Sequence, residues 1–125
     1  MFRRITLLTV PLAFGLSIAS TSLAADLVTP PLFAGLDTNV TCKLTNITST
    51  PIPAQLKLIG AGGTVLKDSS PTTVAAGDTV TIFVNTPDNN VYCRFVNASK
   101  SKVRAVLATF VTSSDGTDQV AIAAQ

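Results

Sequence analysis

The fold of this chain is decided by two stretches that share one pattern, NVTCKLTNIT at residues 39–48 and NVYCRFVNAS at residues 90–99. Each has a valine, a cysteine and a larger apolar residue at alternate positions, which is typical of a strand with one face turned inward. The only two cysteines of the chain, Cys42 and Cys93, lie in these stretches. A disulfide between two core strands is the simplest interpretation, and closing that loop would stabilise the folded state by about 4 kcal/mol.

The first 24 residues have the pattern of an export signal. A basic start at residues 1–4 precedes an apolar run at 5–19, and small residues at 22–24 fit the positions that a signal peptidase reads. The apolar run is short for a membrane span, which argues against the alternative of an uncleaved anchor. We therefore predict a signal peptide at 1–24 and a secreted or periplasmic protein with no membrane span and no lipid anchor.

Cleavage would leave one domain at residues 25–125, which is 125 − 24 = 101 residues. That length suits a single domain with a modest core. Two of the nine basic residues leave with the signal, so 9 − 2 = 7 basic residues remain beside seven acidic ones. With no net charge, the domain is not expected to bind nucleic acid or anionic membranes non-specifically.

The composition also limits the chemistry of the domain. The chain has no His and no Glu, and both cysteines are expected to be oxidised. A Ser-His-Asp site, a Cys-His site and a histidine-based zinc or copper site therefore cannot be built. We expect no enzyme activity, no metal and no cofactor.

Short apolar stretches alternate with turn residues along the domain. Turn sequences recur about every eight to twelve residues, as at 76–78, 87–89, 99–101 and 115–116, and no stretch has a helical period. The opening stretch at 27–36 is interrupted by Pro30 and Pro31, which favours an edge strand or a strand that changes sheet. We predict an all-β fold, a single antiparallel β-sandwich of about seven to eight strands with one disulfide.

The arrangement resembles the immunoglobulin-like sandwich in its broad sense. A strand centred on Cys42, a middle divided by turns and a strand centred on Cys93, 93 − 42 = 51 positions later, are similar to strands B and F of that fold. The resemblance covers nearly all of residues 25–125 but concerns architecture alone. It implies that the cystine crosses between the two sheets, and it implies no activity.

Four side chains form a candidate binding face. If Cys93 points inward, then Tyr92 and Arg94 point outward, and the same alternation turns Lys57 and Arg104 outward. The resemblance implies that their three strands are neighbours in one sheet. Such a cationic, partly apolar face could contact a protein, an anionic glycan or another copy of the chain. The alternative is a solvated face covered by the stems of the basic side chains.

Two function classes follow from this reasoning. The first is a non-enzymatic exported binding or accessory module of unknown ligand, and the second is a structural subunit of an extracellular or surface assembly. The alternating C-terminal stretch lacks the aromatic residue expected of a donor strand, which weakens the second class. Asn39, Asn46 and Asn97 begin glycosylation triplets, and these would carry glycans only in a eukaryotic host.

Overall fold

The computed structural model of the protein describes residues 25–113 and 116–125, except for the side chains of 112–119. The predicted signal peptide at 1–24 lies outside the described residues. Within them the chain is all-β apart from one 3₁₀ turn at Ala61–Gly63, as the alternating pattern predicted. No helix among the described residues is long and apolar enough to cross a membrane.

Eleven strands run through the described residues, and several are only two to four residues long. They are β1 (Leu27–Val28), β2 (Leu32–Ala34), β3 (Thr38–Asn46), β4 (Ile52–Ala54), β5 (Leu56–Ile59), β6 (Val65–Asp68), β7 (Thr72–Val74), β8 (Thr79–Val84), β9 (Asn89–Phe95), β10 (Val103–Ser113) and β11 (Gly116–Ala123).

The strands form two main antiparallel sheets. One has the order β1–β9–β5–β6, with β2 also pairing with β9, and the other has the order β11–β10–β3–β8. A short ribbon of β4 and β7 lies beside them. Because β3 and β9 belong to different sheets, the Cys42–Cys93 disulfide crosses between the sheets, with 5.8 Å between the Cα atoms. The predicted sandwich and its disulfide are confirmed, but the described residues form eleven strands and not seven to eight, because turns and prolines divide the chain into shorter strands, as at Pro30 and Pro31.

The core is built from the two rows that the sequence pattern predicted. Alternate residues of β3 and β9 point inward, and β5 and β10 add leucines to the same cluster. The most completely buried apolar side chains of these four strands are Val40, Cys42, Leu44, Leu56, Leu58, Val91, Cys93, Phe95 and Leu107. Burial of each large apolar side chain stabilises the fold by roughly 1.5 to 3 kcal/mol.

The two sheets are joined by backbone hydrogen bonds at one side of the sandwich. Pro30 and Pro31 divide the opening stretch into β1 and β2, and both strands pair with β9. The side of β1 that faces away from β9 bonds to Gln125. The N–H of Val28 donates to the carbonyl of Gln125 at 3.3 Å, and the N–H of Gln125 donates to the carbonyl of Val28 at 3.2 Å. The opening stretch is thus at the edge of one sheet and also contacts the end of the other.

Asn46 is a buried polar residue at the end of β3. It lies on the same inward row as Cys42, and its side chain is fully buried. Its amide donates to the carbonyls of Thr50 at 2.8 Å and Val74 at 3.0 Å, while its carbonyl oxygen accepts from Thr48. Asn46 therefore holds the turn after β3 against β7, and in the folded protein its amide cannot carry a glycan.

The position of β10 corrects one expectation. Arg104, at the start of this strand, was predicted to share a sheet with Lys57 and Arg94. Instead β10 pairs with β3 on one side and with β11 on the other. The place beside β9 is taken by β1 and β2, so a later strand cannot pair there.

Candidate functional site

Three of the four predicted face residues lie together on the outer face of the β9 sheet. Lys57 of β5 lies directly opposite Arg94 of β9, and Ile59 lies directly opposite Tyr92. Arg104 is on the other sheet and does not contribute to this face. The predicted pairing of the strands of Lys57 and Arg94 is found, whereas the predicted place of the Arg104 strand is wrong.

Both cations of this face are paired with carboxylates. The Nε and Nη2 atoms of Arg94 each lie 2.6 Å from Oδ2 of Asp26. The Nζ atom of Lys57 lies 3.8 Å from Oδ2 of Asp68, a residue at the end of β6. The face is therefore balanced in charge rather than cationic, because two strand ends bring their aspartates beside the basic residues.

Local hydrogen bonds keep these two carboxylates ionised. The backbone N–H of Asn97 donates to Asp26 at 2.9 Å and lowers the pKa of that carboxyl below its ordinary value; Arg94 adds to this effect, and partial burial opposes it. The pKa of Asp68 is lowered chiefly by the side-chain amide of Gln55, then by the N–H of Ser70. Such exposed ion pairs stabilise a protein by only about 0 to 1 kcal/mol. Their main effect here is on the charge of the face, because each carboxylate balances a basic side chain.

Two open grooves meet at Tyr92. The first has a volume of about 480 Å³ and is lined by Asp26, Val28, Thr29, Pro31, Tyr92 and Arg94. The second has a volume of about 430 Å³ and is lined by Pro31, residues 60–63, Asn90 and Tyr92. Pro31 and Tyr92 line both, so the grooves form one path across the face, which we call the Tyr92 groove.

A second aromatic side chain, Phe33, is exposed on this face. Phe33 of β2 lies opposite Asn90 of β9. Asn90 is two residues before Tyr92, so both point outward. Phe33 is 62% exposed. Its ring lies toward Gly35, with Cε1 3.7 Å from the position that a Cβ atom would take there, and Phe33 lines neither groove.

The glycine-rich turn forms the far wall of the Tyr92 groove. Gly62 and Gly63 have φ angles of +73° and +79°, a region that other residues rarely adopt. A Cβ atom at either position would meet nothing within 4 Å, so backbone conformation rather than space requires glycine here. Asn89 fixes the turn by accepting the N–H of Ala61 at 3.2 Å. The wall therefore presents backbone groups with little side-chain cover.

The groove is lined by an aromatic ring, an amide and a carboxylate that can bind a ligand. Its one carboxylate, Asp26, is held by Arg94 and Asn97, and no side chain that lines the groove could act as a strong nucleophile. Within the described part of the chain, no group of three or more acidic or cysteine side chains could hold a metal ion.

Sequence reasoning did not place Asp26, Pro31 or Phe33 on this face. All three lie in the opening stretch or directly before it, far from β9 in sequence, and they reach the face only because β1 and β2 pair with β9. The sequence did contain one indication of this face. Phe33 lies between Leu32 and Ala34 in a short strand, so its side chain points to the opposite side from theirs. That alternation predicts an outward aromatic residue.

Arg104 lies on the outer face of the second sheet with Lys43. Arg104 donates from Nη1 to the carbonyls of Lys100 and Val103. Among the side chains that the structure describes, no carboxylate is within ion-pair distance of Lys43 or Arg104. Phe83 and Phe110 stack on this same face, with ring centroids 5.9 Å apart. The cationic and partly apolar character that was predicted beside Tyr92 is found here instead.

Comparison with known proteins supports the fold alone. No protein-family model matches the chain. No curated protein matches it either. Among solved structures, the crystal structure of Thermotoga maritima 1070 is similar, with a TM-score of 0.54 at 4% sequence identity. The likeness covers 83% of this chain and 95% of that one.

Proposed function

We propose that the protein is a non-enzymatic, exported binding module of the broad immunoglobulin-like class, and that its ligand lies in the Tyr92 groove. The observation that carries this proposal is the meeting of two open grooves at one aromatic side chain. Ligand sites in proteins combine an apolar, concave surface with a few placed polar groups. The apolar surface comes from Tyr92, Pro31 and Val28, and the polar groups come from Asn90 and Asp26.

The chemistry of the groove favours a neutral glycan. Asp26 balances the charge of Arg94, so an anionic ligand would meet no net attraction at this end. A sugar ring presents an apolar C–H face that packs on an aromatic ring, and its hydroxyl groups bond to amides, carboxylates and backbone groups. The groove offers both kinds of contact along one path, with the ring of Tyr92 for the C–H face and with Asn90 and the backbone of the glycine-rich turn for the hydroxyl groups.

The immunoglobulin-like comparison rests on β3 and β9. These strands hold the two cysteines in different sheets, as strands B and F do in that fold. The placement of β10 beside β3 departs from that order. The alternative function, a structural subunit completed by a donor strand, is not supported at β9, because the chain's own β1 and β2 occupy the place beside that strand.

Tyr92 offers a direct test of ligand binding. It is the only tyrosine of a chain without tryptophan, so intrinsic fluorescence reports on the groove alone. We expect titration with a panel of neutral oligosaccharides to change this emission for at least one of them. In calorimetry, Tyr92→Ala should weaken binding by about tenfold or more, or about 1.4 kcal/mol. Tyr92→Phe, which keeps the ring, should lose less.

A matched control is available on the opposite face. Phe83→Ala also removes a partly exposed aromatic side chain but leaves the Tyr92 groove untouched, so it should bind as the wild type does. Equal losses from Tyr92→Ala and Phe83→Ala would contradict the proposed site. The ligand class would be overturned if only acidic oligosaccharides bound and their affinity fell steeply with salt.

Export is tested separately by the intact mass of the secreted protein. We expect a chain that begins at Ala25 and contains the Cys42–Cys93 disulfide. A mature species that retains residues 1–24 would contradict the predicted cleavage, and it would leave the proposed groove unaffected.

A further inference from the structure

One edge strand of the sandwich lacks the usual protection against pairing. β8 (Thr79–Val84) pairs with β3, and no second strand among the described residues pairs with its other side. Natural edge strands are normally shielded by charges, prolines, bulges or short length. The sequence of β8, TVTIFV, has six residues with no charge and no proline.

The outer strands β6 and β11 each carry charge. β6 carries Lys67 and Asp68, and its pairing with β5 is interrupted by a register shift at Leu58 and Ile59. β11 contains Asp118, and beyond its end at Ala123 the backbone of Gln125 exchanges hydrogen bonds with Val28. Among the strands longer than four residues that the structure describes, β8 is the one at a sheet edge with neither a charge nor a proline in its sequence.

The register identifies which backbone groups of β8 face outward. The N–H of Asn46 donates to the carbonyl of Asp78 at 2.9 Å and the N–H of Gly77 donates to the carbonyl of Asn46 at 3.0 Å, so Gly77 and Asp78 form a bulge at a hydrogen-bonded position just before β8. Such positions alternate along an antiparallel pair. Val80, Ile82 and Val84 therefore bond to β3, whereas the backbone groups of Thr79, Thr81 and Phe83 point to the open edge. The side chains of these last three residues are also exposed.

We propose that β8 pairs with β8 of a second copy of the chain, antiparallel, about a two-fold axis at Thr81. Thr81 then lies opposite Thr81 of the second copy, and Thr79 lies opposite Phe83. All three outward residues of each strand exchange both backbone hydrogen bonds with their opposites, which joins two four-stranded sheets into one.

The edge fits its own copy because it is self-complementary. A two-fold interface places the same surface of each copy against the other, and with no charge in β8 no like charges are brought opposite each other. Phe83 is 40% exposed although it stacks on Phe110. Pairing would cover it further against Thr79 of the second copy, so apolar burial adds to the backbone hydrogen bonds.

The test compares two substitutions at Thr81. Thr81→Pro removes an outward N–H, which a folded edge strand tolerates, and it prevents a second strand from pairing there. Thr81→Val changes the side chain but keeps the N–H. In sedimentation equilibrium over a range of concentrations, we expect wild type and Thr81→Val to reach twice the mass of the monomer and Thr81→Pro to remain monomeric. Circular dichroism and an intact disulfide verify the fold of each variant.

Charge variants keep the proposal falsifiable if Thr81→Pro does not fold. Thr81→Lys and Thr81→Glu each place like charges opposite each other at the axis, so each should be monomeric alone. An equimolar mixture should regain the dimer as a mixed pair. If the wild type stays monomeric, the proposal is overturned. An extended segment of another protein would then be the remaining candidate to pair with β8. A dimer that survives Thr81→Pro, or a mixture that stays monomeric, would also overturn it.

Discussion

Replacing Asn46 by alanine should destabilise the protein more than any substitution of a surface residue. Four hydrogen bonds are lost, two donated by the side-chain amide and two accepted by its oxygen. The carbonyl of Val74 is the partner left most completely buried, since Val74 itself is 4% exposed. The groups of Thr48 and Thr50 are nearer to solvent and can bond to water instead.

The magnitude follows from this difference in burial. A buried group left without a partner costs about 1 to 3 kcal/mol, and the more exposed groups lose about 0.5 to 1 kcal/mol each. We therefore expect Asn46→Ala to lower the free energy of unfolding by about 3 kcal/mol. That is a large share of the roughly 5 to 15 kcal/mol typical of a domain. With a slope of about 1.5 kcal/mol per molar urea, the unfolding midpoint should fall by about 2 M.

Two variants serve as controls in the same urea experiment. Asn39→Ala removes the same side chain from the same strand, where it makes no described side-chain hydrogen bond, and should change stability by under about 0.5 kcal/mol. Asn46→Asp keeps the size but turns a buried carboxylate toward two carbonyl oxygens. Burial raises the pKa of this carboxyl in the folded state. The loss of stability should therefore be small at pH values below the pKa of the unfolded chain and grow as pH rises above it.

The reasoning would be refuted if Asn46→Ala shifted the urea midpoint no more than Asn39→Ala does. It would also be refuted if Asn46→Asp were equally stable at acidic and neutral pH, because the amide would then not be needed to satisfy the carbonyls of Thr50 and Val74.

Two further predictions concern the disulfide and the charged face. Cys42→Ala should lower the free energy of unfolding by about 2 to 5 kcal/mol, since the closed loop of separation 51 is lost; a loss below about 1 kcal/mol in urea would contradict this. Because the pKa of Asp26 is lower in the folded protein than its ordinary value of 3.8, its contribution to stability is present above that pH and is lost as pH falls through the folded pKa. Unfolding of Asp26→Asn should therefore depend less on pH in the acid range than unfolding of the wild type, and identical pH profiles would show that the carboxylate does not contribute.

The sequence determined which residues form strands and which of their side chains point inward. Alternation with a period of two is a local property of the chain, so the row of Val40, Cys42 and Leu44 could be predicted without knowing its neighbours. With only two cysteines, the pairing of Cys42 with Cys93 had no competitor. The same alternation also places Asn46 inward, although a polar residue at the end of a strand is easily interpreted as part of a turn.

Only the tertiary structure decided the order of the strands, and with it the composition of each face. Several strands are similarly apolar, so local propensity does not determine which of them lies beside β9. The choice of β1 and β2 over β10 separates Arg104 from Lys57 and brings Asp26 to Arg94, 94 − 26 = 68 positions along the chain. Strand order depends on the combined energy of long-range pairing and core packing, to which many residues distant in sequence contribute together.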